Sequence, residues 1–242
     1  MEDYRYIAHR GLFHNEQGIP ENSMLAFERA VKAGLPIELD VRMTRDRKLV
    51  VMHDGSCRRM TGEDFKVSAL LWRELERLPL LGTDQRTPLL SEVLRLVDGQ
   101  VPLLIEVKNV SWIGYLECKL RHMLLQYHGK YMIESFHPGV VGWMKLHMKD
   151  VAVGQLVSMN STSLNPIEKI VMQQQGFYRF TKPDFLAYDM RELTPQLSRQ
   201  MHKMGIKVYA WTVRSARDYN RVKNICDGVI FDTVEPKDIM AI

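Results

Sequence analysis

Short apolar runs rich in β-forming residues alternate with stretches of helical periodicity along the whole chain of 242 residues. Nine runs are candidate strands: 6–8, 37–41, 49–52, 103–107, 131–133, 151–157, 185–188, 207–213 and 228–231. The stretch 23–33 is typical of the helices between them, because its apolar residues share one face and Gly34 follows as a stop signal. Strand and helix alternation over a full chain predicts a parallel sheet.

Nine strands do not fit an eightfold barrel, and the extra strand can be identified. The runs 37–41 and 49–52 are joined by seven residues, which is too few for a crossover helix, so we expect an antiparallel hairpin there. Eight parallel strands remain, at about 30 residues per strand–helix unit. The sequence therefore predicts an α/β fold, a single (β/α)8 TIM-type barrel domain over residues 1–242 with a small insertion after strand 2 at about 43–86.

An open doubly wound sheet is the alternative fold. It is less favoured because the chain contains neither a G-x-G-x-x-G fingerprint nor a Gly-Lys-Ser/Thr phosphate loop. Further helices are predicted at 89–97, 112–127, 140–148, 166–175, 195–204 and 216–224. The helix at 195–204 opens with Thr194 and Pro195, which is a typical N-terminal pair.

Composition excludes several classes of protein. The formal charge is only +4 and its charges are scattered, which argues against a nucleic-acid partner. Three widely spaced cysteines, Cys57, Cys118 and Cys226, indicate neither a disulfide framework nor a structural zinc site. The chain has no run of about 18 apolar residues and no signal-peptide pattern, so we expect a cytoplasmic protein without a stable membrane anchor. No sequence feature indicates an oligomeric state.

Acidic residues occupy one face of the second predicted strand. Ile37, Leu39 and Val41 alternate with Glu38, Asp40 and Arg42, and the apolar face of a barrel strand lies under the helices. Glu38 and Asp40 are therefore expected to point into the barrel, where uncompensated carboxylates are costly.

The same inversion occurs in strand 103–107, where Glu106 and Lys108 face inward. Glu38, Asp40 and Glu106 form an all-oxygen ligand set, which suits one divalent cation, Mg²⁺ or Ca²⁺, better than zinc or copper. Both inversions lie near strand C-termini, where barrel enzymes place their active sites. The sequence therefore predicts a metal site at this end of the strands.

Two histidines are expected beside these carboxylates. His9 ends the first strand, and His53 ends the return arm of the hairpin. Folding the hairpin about Arg45 and Asp46 brings His53 roughly opposite Glu38. Because histidine titrates near neutral pH, the pair is suited to general acid and base catalysis. Arg10 and Lys108 add positive charge that can bind a phosphate group, so a phosphorylated small-molecule substrate is indicated.

Nine short motifs follow one another along the chain. They are H-R-G (9–11), P-E-N-S (20–23), E-L-D (38–40), T-x-D (44–46), V-V-M-H-D (50–54), R-x-T-G (59–62), E-V-K (106–108), A-W-T-V (210–213) and D-G-V-I-F-D (227–232). Taken in this order, they resemble the glycerophosphodiester phosphodiesterase family, within the PLC-like phosphodiesterase superfamily. Two positions depart from the family pattern. Ser23 replaces a threonine, and Phe231 replaces a small polar residue, which bears on substrate preference more than on chemistry.

The resemblance implies a TIM-type barrel that hydrolyses glycerophosphodiesters to sn-glycerol 3-phosphate and an alcohol with a divalent cation. By matching motif, the metal ligands would be Glu38, Asp40 and Glu106, and His9 and His53 would be the acid and base. Arg10 and Lys108 would hold phosphate. Glu21 either joins the metal ligands or orders the first loop and helix start. Phe136 and Trp211 would line the substrate pocket, although barrel packing is an equal alternative for Trp211.

Several alternatives remain open at this point. The nucleophile is either water or the substrate's own hydroxyl, and either histidine can be the acid. A phospholipase D-like activity on lysophospholipids is the main rival function. A metal-dependent aldolase and a non-catalytic binding barrel are further alternatives, but the aldolase does not explain His9 and His53.

Overall fold

The computed structural model describes residues 4–108, 112–158, 178–234 and 236–240. All nine predicted strands are present. They are β1 (Tyr6–Ala8), β2 (Ile37–Met43), β3 (Leu49–Val51), β4 (Leu103–Val107), β5 (Tyr131–Ser135), β6 (Val153–Val157), β7 (Phe185–Asp189), β8 (Lys207–Val213) and β9 (Gly228–Phe231).

Helices lie between most of these strands. They are α1 (Met24–Lys32), α2 (Arg58–Thr61), α3 (Trp72–Leu75), α4 (Leu90–Val97), α5 (Tyr115–Leu124), α6 (Pro138–His147), α7 (Tyr178–Thr181), α8 (Pro195–Lys203), α9 (Ala216–Val222) and α10 (Pro236–Met240). The helix predicted at 166–175 falls outside the described residues. In the described part of the chain, every helix is too short or too polar to cross a lipid bilayer.

The nine strands form one sheet in the order β1-β9-β8-β7-β6-β5-β4-β2-β3, and β1 also pairs with β2. The second pairing closes the ring of eight parallel strands, whereas β3 pairs with β2 in the antiparallel sense. The fold is therefore the predicted (β/α)8 TIM-type barrel, with a hairpin and short helices inserted after the second strand.

The hairpin register differs by one residue from the prediction. Val41 pairs with Val51, and Met43 pairs with Leu49. Strand pairing ends at Val51, although the backbone N–H of Met52 still donates to the carbonyl of Asp40 at 2.9 Å. The difference arises in the turn, where Arg47 adopts a left-handed φ of 65° and its N–H donates to the carbonyl of Thr44.

The contacts of the chain divide it into two compact units, Ala8–Tyr131 and Met1–Ile7 with Met132–Ile242. In the first unit, β2 pairs with β4 over five residues, and the alternate residues Ile37, Leu39 and Val41 are fully buried. The insertion has a small apolar core of its own, which consists of Val50, Met52, Cys57, Met60, Val67, Leu75 and Leu80. This core gives the segment after β2 a defined structure.

The second unit contains β6 to β9 in parallel register. Its interior includes an edge-to-face pair, Phe185 and Tyr209, whose ring centroids are 5.4 Å apart. Helix α8 begins as predicted, because the Thr194 hydroxyl accepts a hydrogen bond from the N–H of Leu197 and Pro195 occupies the first turn.

Candidate active site

Three carboxylates meet on the polar face of β2 and β4. Glu38, Asp40 and Glu106 each offer one oxygen, and these oxygens lie within 4.8 Å of one another. Asp40 stands opposite Glu106 in the parallel register, which explains why alternation along two strands brings them together. All three side chains are buried, and Asp40 is fully so.

Lys108 lies against this acidic cluster. Its Nζ atom is 2.7 Å from Oε1 of Glu106 and 3.2 Å from Oδ1 of Asp40. Burial by itself would lower the pKa of Lys108, but the two carboxylates outweigh it and raise the pKa. Lys108 therefore keeps its positive charge inside the protein.

The two strand carboxylates respond differently to the same surroundings. Burial favours the neutral form of Asp40, but Lys108, His53 and Arg10 outweigh it and hold its pKa well below the usual value. Burial raises the pKa of Glu106, and the charge of Asp40 adds to this effect against the opposing attraction of Lys108. Of these two carboxylates, Glu106 is therefore the one whose ionised form is disfavoured in this site.

The loop after β1 places His9 and Arg10 on the cluster. The Nε2 atom of His9 is 3.9 Å from Oε2 of Glu38, and the backbone N–H of Arg10 donates to the same oxygen at 2.9 Å. The Arg10 guanidinium lies 3.4 Å from Asp40 and donates to Glu21 at 2.6 Å. Both residues predicted from the first loop therefore contact the acidic cluster.

Gly11 fixes the position of this loop against α1. Its φ is +80°, a backbone conformation that glycine adopts at little cost. A Cβ at this position would lie 2.9 Å from the carbonyl carbon of Ala26. The next residue, Leu12, donates its N–H to the carbonyl of Ala26. The loop and the first turn of α1 are thus in direct backbone contact.

His53 is held from two sides. Its backbone carbonyl accepts hydrogen bonds from Nε and Nη2 of Arg42, at 2.9 and 2.6 Å. Its ring atom Nδ1 is 2.6 Å from Oδ1 of Asp54. That hydrogen bond is the main reason why the pKa of Asp54 is lowered, and Arg59 adds to it. A carboxylate at Nδ1 favours the tautomer whose Nε2 lone pair is available.

Arg59, in α2, links the loop that carries Glu21 to the loop that carries Asp54. Its Nη1 and Nη2 donate to both oxygens of Glu21, at 2.8 and 2.7 Å, and its Nε donates to Asp54 at 2.6 Å. Burial opposes ionisation of Glu21, but Arg59 and Arg10 outweigh it and lower its pKa to about 2. The Glu21 carboxylate therefore binds two guanidinium groups and lies outside the acidic cluster of the described residues.

Sequence reasoning gave no role to three residues that organise the site. Arg59 and Asp54 belong to the R-x-T-G and V-V-M-H-D motifs, and the place of Asp54 directly after His53 is the signal that could have identified it. Asn22, inside the P-E-N-S motif, donates from Nδ2 to Oδ2 of Asp40 at 2.8 Å. Its φ of 57° is left-handed, a conformation that asparagine tolerates better than most residues.

The other two predicted residues belong to the second compact unit. Phe136 and Trp211 contact each other edge to face, with ring centroids 5.6 Å apart and an interplanar angle of 86°. The indole N–H of Trp211 donates to the carbonyl of Ala187 at 2.8 Å. These contacts fix the orientation of the Trp211 ring.

The acidic cluster fits a divalent cation. Three buried carboxylates within a few ångströms repel one another, and only part of their charge is balanced by Lys108 and Arg10. Hard oxygen ligands of this kind suit Mg²⁺ or Ca²⁺. Burial is the main reason why the pKa of Glu106 is raised, and a bound cation would offset the further increase caused by the charge of Asp40.

Comparison with known proteins agrees with this geometry. The model of the glycerophosphoryl diester phosphodiesterase family matches residues 9–236. A glycerophosphodiester phosphodiesterase of Caldanaerobacter subterraneus is 30% identical, over 95% of this chain and 94% of that protein. A lysophospholipase D of Rattus norvegicus is 37% identical, over 94% of this chain and 83% of that protein.

Solved structures share the fold. A phosphodiesterase of Oleispira antarctica, in complex with the product sn-glycerol-3-phosphate, has a TM-score of 0.82 at 21% identity, over 98% of this chain and 95% of that one. A glycerophosphodiester phosphodiesterase of Thermotoga maritima has a TM-score of 0.73 at 26% identity, over 93% of both chains. The chain therefore belongs to the glycerophosphoryl diester phosphodiesterase family, whose members are phosphoric diester hydrolases.

Proposed function

We propose that this protein hydrolyses glycerophosphodiesters to sn-glycerol 3-phosphate and an alcohol, with one divalent cation, Mg²⁺ or Ca²⁺. The observation that carries the proposal is the buried cluster of Glu38, Asp40 and Glu106 with His9 beside it at 3.9 Å. Two further findings support it: the activity named for the Caldanaerobacter relative, and the product bound to the Oleispira neighbour.

The three clustered carboxylates would hold the cation. When bound, a divalent cation polarises the phosphoryl group and orients the nucleophile. Arg10 and Lys108 are proposed to contact the non-bridging phosphate oxygens, because both are cationic and lie within ion-pair distance of the cluster. Their existing contacts with carboxylates keep them in place before substrate binds. Phe136 and Trp211 are proposed substrate contacts.

The histidines are proposed to move the protons. Asp54 binds Nδ1 of His53, which leaves Nε2 to accept the proton of the attacking hydroxyl group, from water or from the substrate glycerol. His9 is then the acid that donates a proton to the departing alcohol. The position of His9 supports this role, because its Nε2 atom lies 3.9 Å from Oε2 of Glu38, beside the proposed cation ligands.

The test is release of sn-glycerol 3-phosphate from purified protein. Glycerophosphocholine, glycerophosphoethanolamine and glycerophosphoglycerol are incubated with Mg²⁺, Ca²⁺, Mn²⁺ or chelator. We expect metal-dependent release that is lost in His9→Ala and His53→Ala but retained in His122→Ala, a change of an exposed histidine in α5. Full release in the presence of chelator would contradict the metal role, and full release by both active-site variants would contradict the histidine roles.

A lysophospholipase D activity is the second candidate. The observation that favours it is the 37% identity to the lysophospholipase D of Rattus norvegicus over 94% of this chain. Lysophosphatidylcholine and glycerophosphocholine share the choline leaving group and differ in the acyl chain. Faster choline release from the acylated substrate would therefore assign this activity.

A further inference from the structure

A cavity of about 720 Å³ adjoins the proposed active site within the unit Ala8–Tyr131. Arg42 and Lys108 form part of its wall. Arg42 also holds the carbonyl of His53, and Lys108 also contacts Asp40 and Glu106. The cavity therefore shares Lys108 with the proposed phosphate-binding residues, and Arg42 links its wall to the backbone of His53.

The cavity wall carries positive charge only. It includes five cations, Arg42, Arg45, Arg47, Lys66 and Lys108, and none of its described lining residues is Asp or Glu. Lys108 is balanced by the acidic cluster, and Arg45 lies 3.9 Å from Glu74, which does not line the cavity. Arg47 and Lys66 are exposed, and neither has an ion pair among the described residues.

Other carboxylates near this wall are already engaged. Asp46 accepts from the Thr44 hydroxyl and from the N–H of Trp72. Asp64 accepts from Ser56 and pairs with Arg58. Neither residue lines the cavity. All charged side chains among the described lining residues are therefore cations.

The aromatic residues of the wall are poorly placed to bind a cationic ligand. The Arg47 guanidinium already lies over the ring of Tyr115, 4.7 Å from its centroid. Trp112 is 91% exposed, so a cation over its ring would remain in water. Enclosed aromatic faces are what recognise quaternary ammonium groups, and this cavity lacks them among its described residues.

The size of the cavity indicates which part of the substrate it holds. Its volume corresponds to about 24 water molecules, at about 30 Å³ each. A glycerol unit has six heavy atoms and would leave most of this space empty. The alcohol on the other side of the phosphate is the part that varies in size and charge among glycerophosphodiesters.

We propose that this cavity binds the leaving alcohol and selects glycerophosphodiesters whose alcohol carries a phosphate or another anionic group, over those that carry choline. This inference rests on the proposed function and names its substrate class. It follows from a wall of five cations without a carboxylate, because charge complementarity favours an anion there and repels an ammonium group.

The experiment compares kcat/KM for three substrates: glycerophosphoinositol 4-phosphate, glycerophosphoglycerol and glycerophosphocholine, which have anionic, neutral and cationic alcohols. The variants are Arg47→Glu with Lys66→Glu, and Lys32→Glu as a control. Lys32→Glu reverses the charge of an exposed residue at the end of α1. Lys32 does not line the cavity. We expect wild type to prefer the anionic alcohol and the double variant to lose about five-fold or more of that preference.

The preference for the anionic alcohol should also weaken as ionic strength rises, because Arg47 and Lys66 are exposed to solvent. An unchanged ratio of anionic to cationic substrate in the double variant, with glycerol 3-phosphate still released, would overturn the cavity assignment while the proposed function stands. If no substrate is turned over, calorimetry measures the affinity of the His9→Ala/His53→Ala protein for the same three compounds. Equal affinities for them would overturn the assignment, and tighter binding of the anionic compound would support it.

Discussion

Nδ1 of His53 lies 2.6 Å from Oδ1 of Asp54, the next residue in the chain, and Oδ2 of the same carboxylate accepts from Arg59. Asp54 therefore favours the tautomer with a proton on Nδ1 and restrains the orientation of the His53 ring. Arg42 also donates a hydrogen bond to the backbone carbonyl of His53. The His53 ring is therefore positioned without a bound substrate.

Replacement of this carboxylate tests its role. Asp54→Asn removes the charge that favours a proton on Nδ1, so we expect kcat to fall by about 10²-fold with a small change in KM. Steady-state kinetics with glycerophosphoglycerol measure both constants. Asp150→Asn, at an exposed position in the second compact unit, should behave as wild type. A change in KM alone would assign Asp54 to substrate binding.

The leaving group distinguishes the two histidines. A substrate with p-nitrophenol as its alcohol needs no proton on departure, because the phenolate is stable. We expect His9→Ala to recover most of its activity on this substrate and His53→Ala to remain inactive. Absorbance of p-nitrophenolate follows the reaction. The reverse pattern of recovery would exchange the acid and base assignments.

Replacement of Glu106 is expected to weaken metal binding without lowering the stability of the metal-free protein. Burial raises its pKa, so the ionised side chain opposes folding at neutral pH when no cation is bound. Glu106→Gln should therefore weaken Mg²⁺ or Ca²⁺ binding by about tenfold or more while the metal-free protein remains at least as stable. Calorimetry measures the binding, and thermal unfolding in chelator measures the stability. A large fall in the melting temperature would show that the carboxylate stabilises the fold.

Glu21 should make the protein sensitive to acid. Its pKa is about 2 in the folded protein against 4.5 in the unfolded chain, so its contribution is complete above about pH 4.5 and is lost as the pH falls towards 2. The difference corresponds to about 3 kcal/mol, as an order of magnitude. Urea unfolding between pH 6 and pH 3 in chelator should show a smaller loss of stability for Glu21→Gln than for wild type. Equal slopes would mean that the two arginines do not lower this pKa.

Much of the fold could be predicted from the sequence, because the local patterns for strands, helices and turns indicate the same architecture. Most strands are short apolar runs with a helical stretch after them, and the seven-residue link between 37–41 and 49–52 predicted the hairpin. The start of α5 was predicted too early, at residue 112. The helix begins at Tyr115 because Gly114, with a φ of 108°, interrupts the helical conformation before it.

The acidic cluster was accessible for a similar reason. Side chains alternate along a strand, so Glu38, Asp40 and Glu106 could be assigned to one face from spacing alone. The contacts of Arg59 could not be predicted in this way, because Glu21 and Asp54 are brought to it by two separate loops. The position of His53 likewise depends on the guanidinium of Arg42 after strand pairing has ended.

The close contact between Gly11 and Ala26 has a consequence for protein engineering. Any larger residue at position 11 would push the loop that carries His9 and Arg10 away from α1, and the histidine proposed as the acid would move with it. Directed-evolution libraries that vary this loop should therefore keep position 11 constant. Diversity is better introduced at exposed positions of the inserted segment, such as Phe65 and Leu81, where side chains project into solvent.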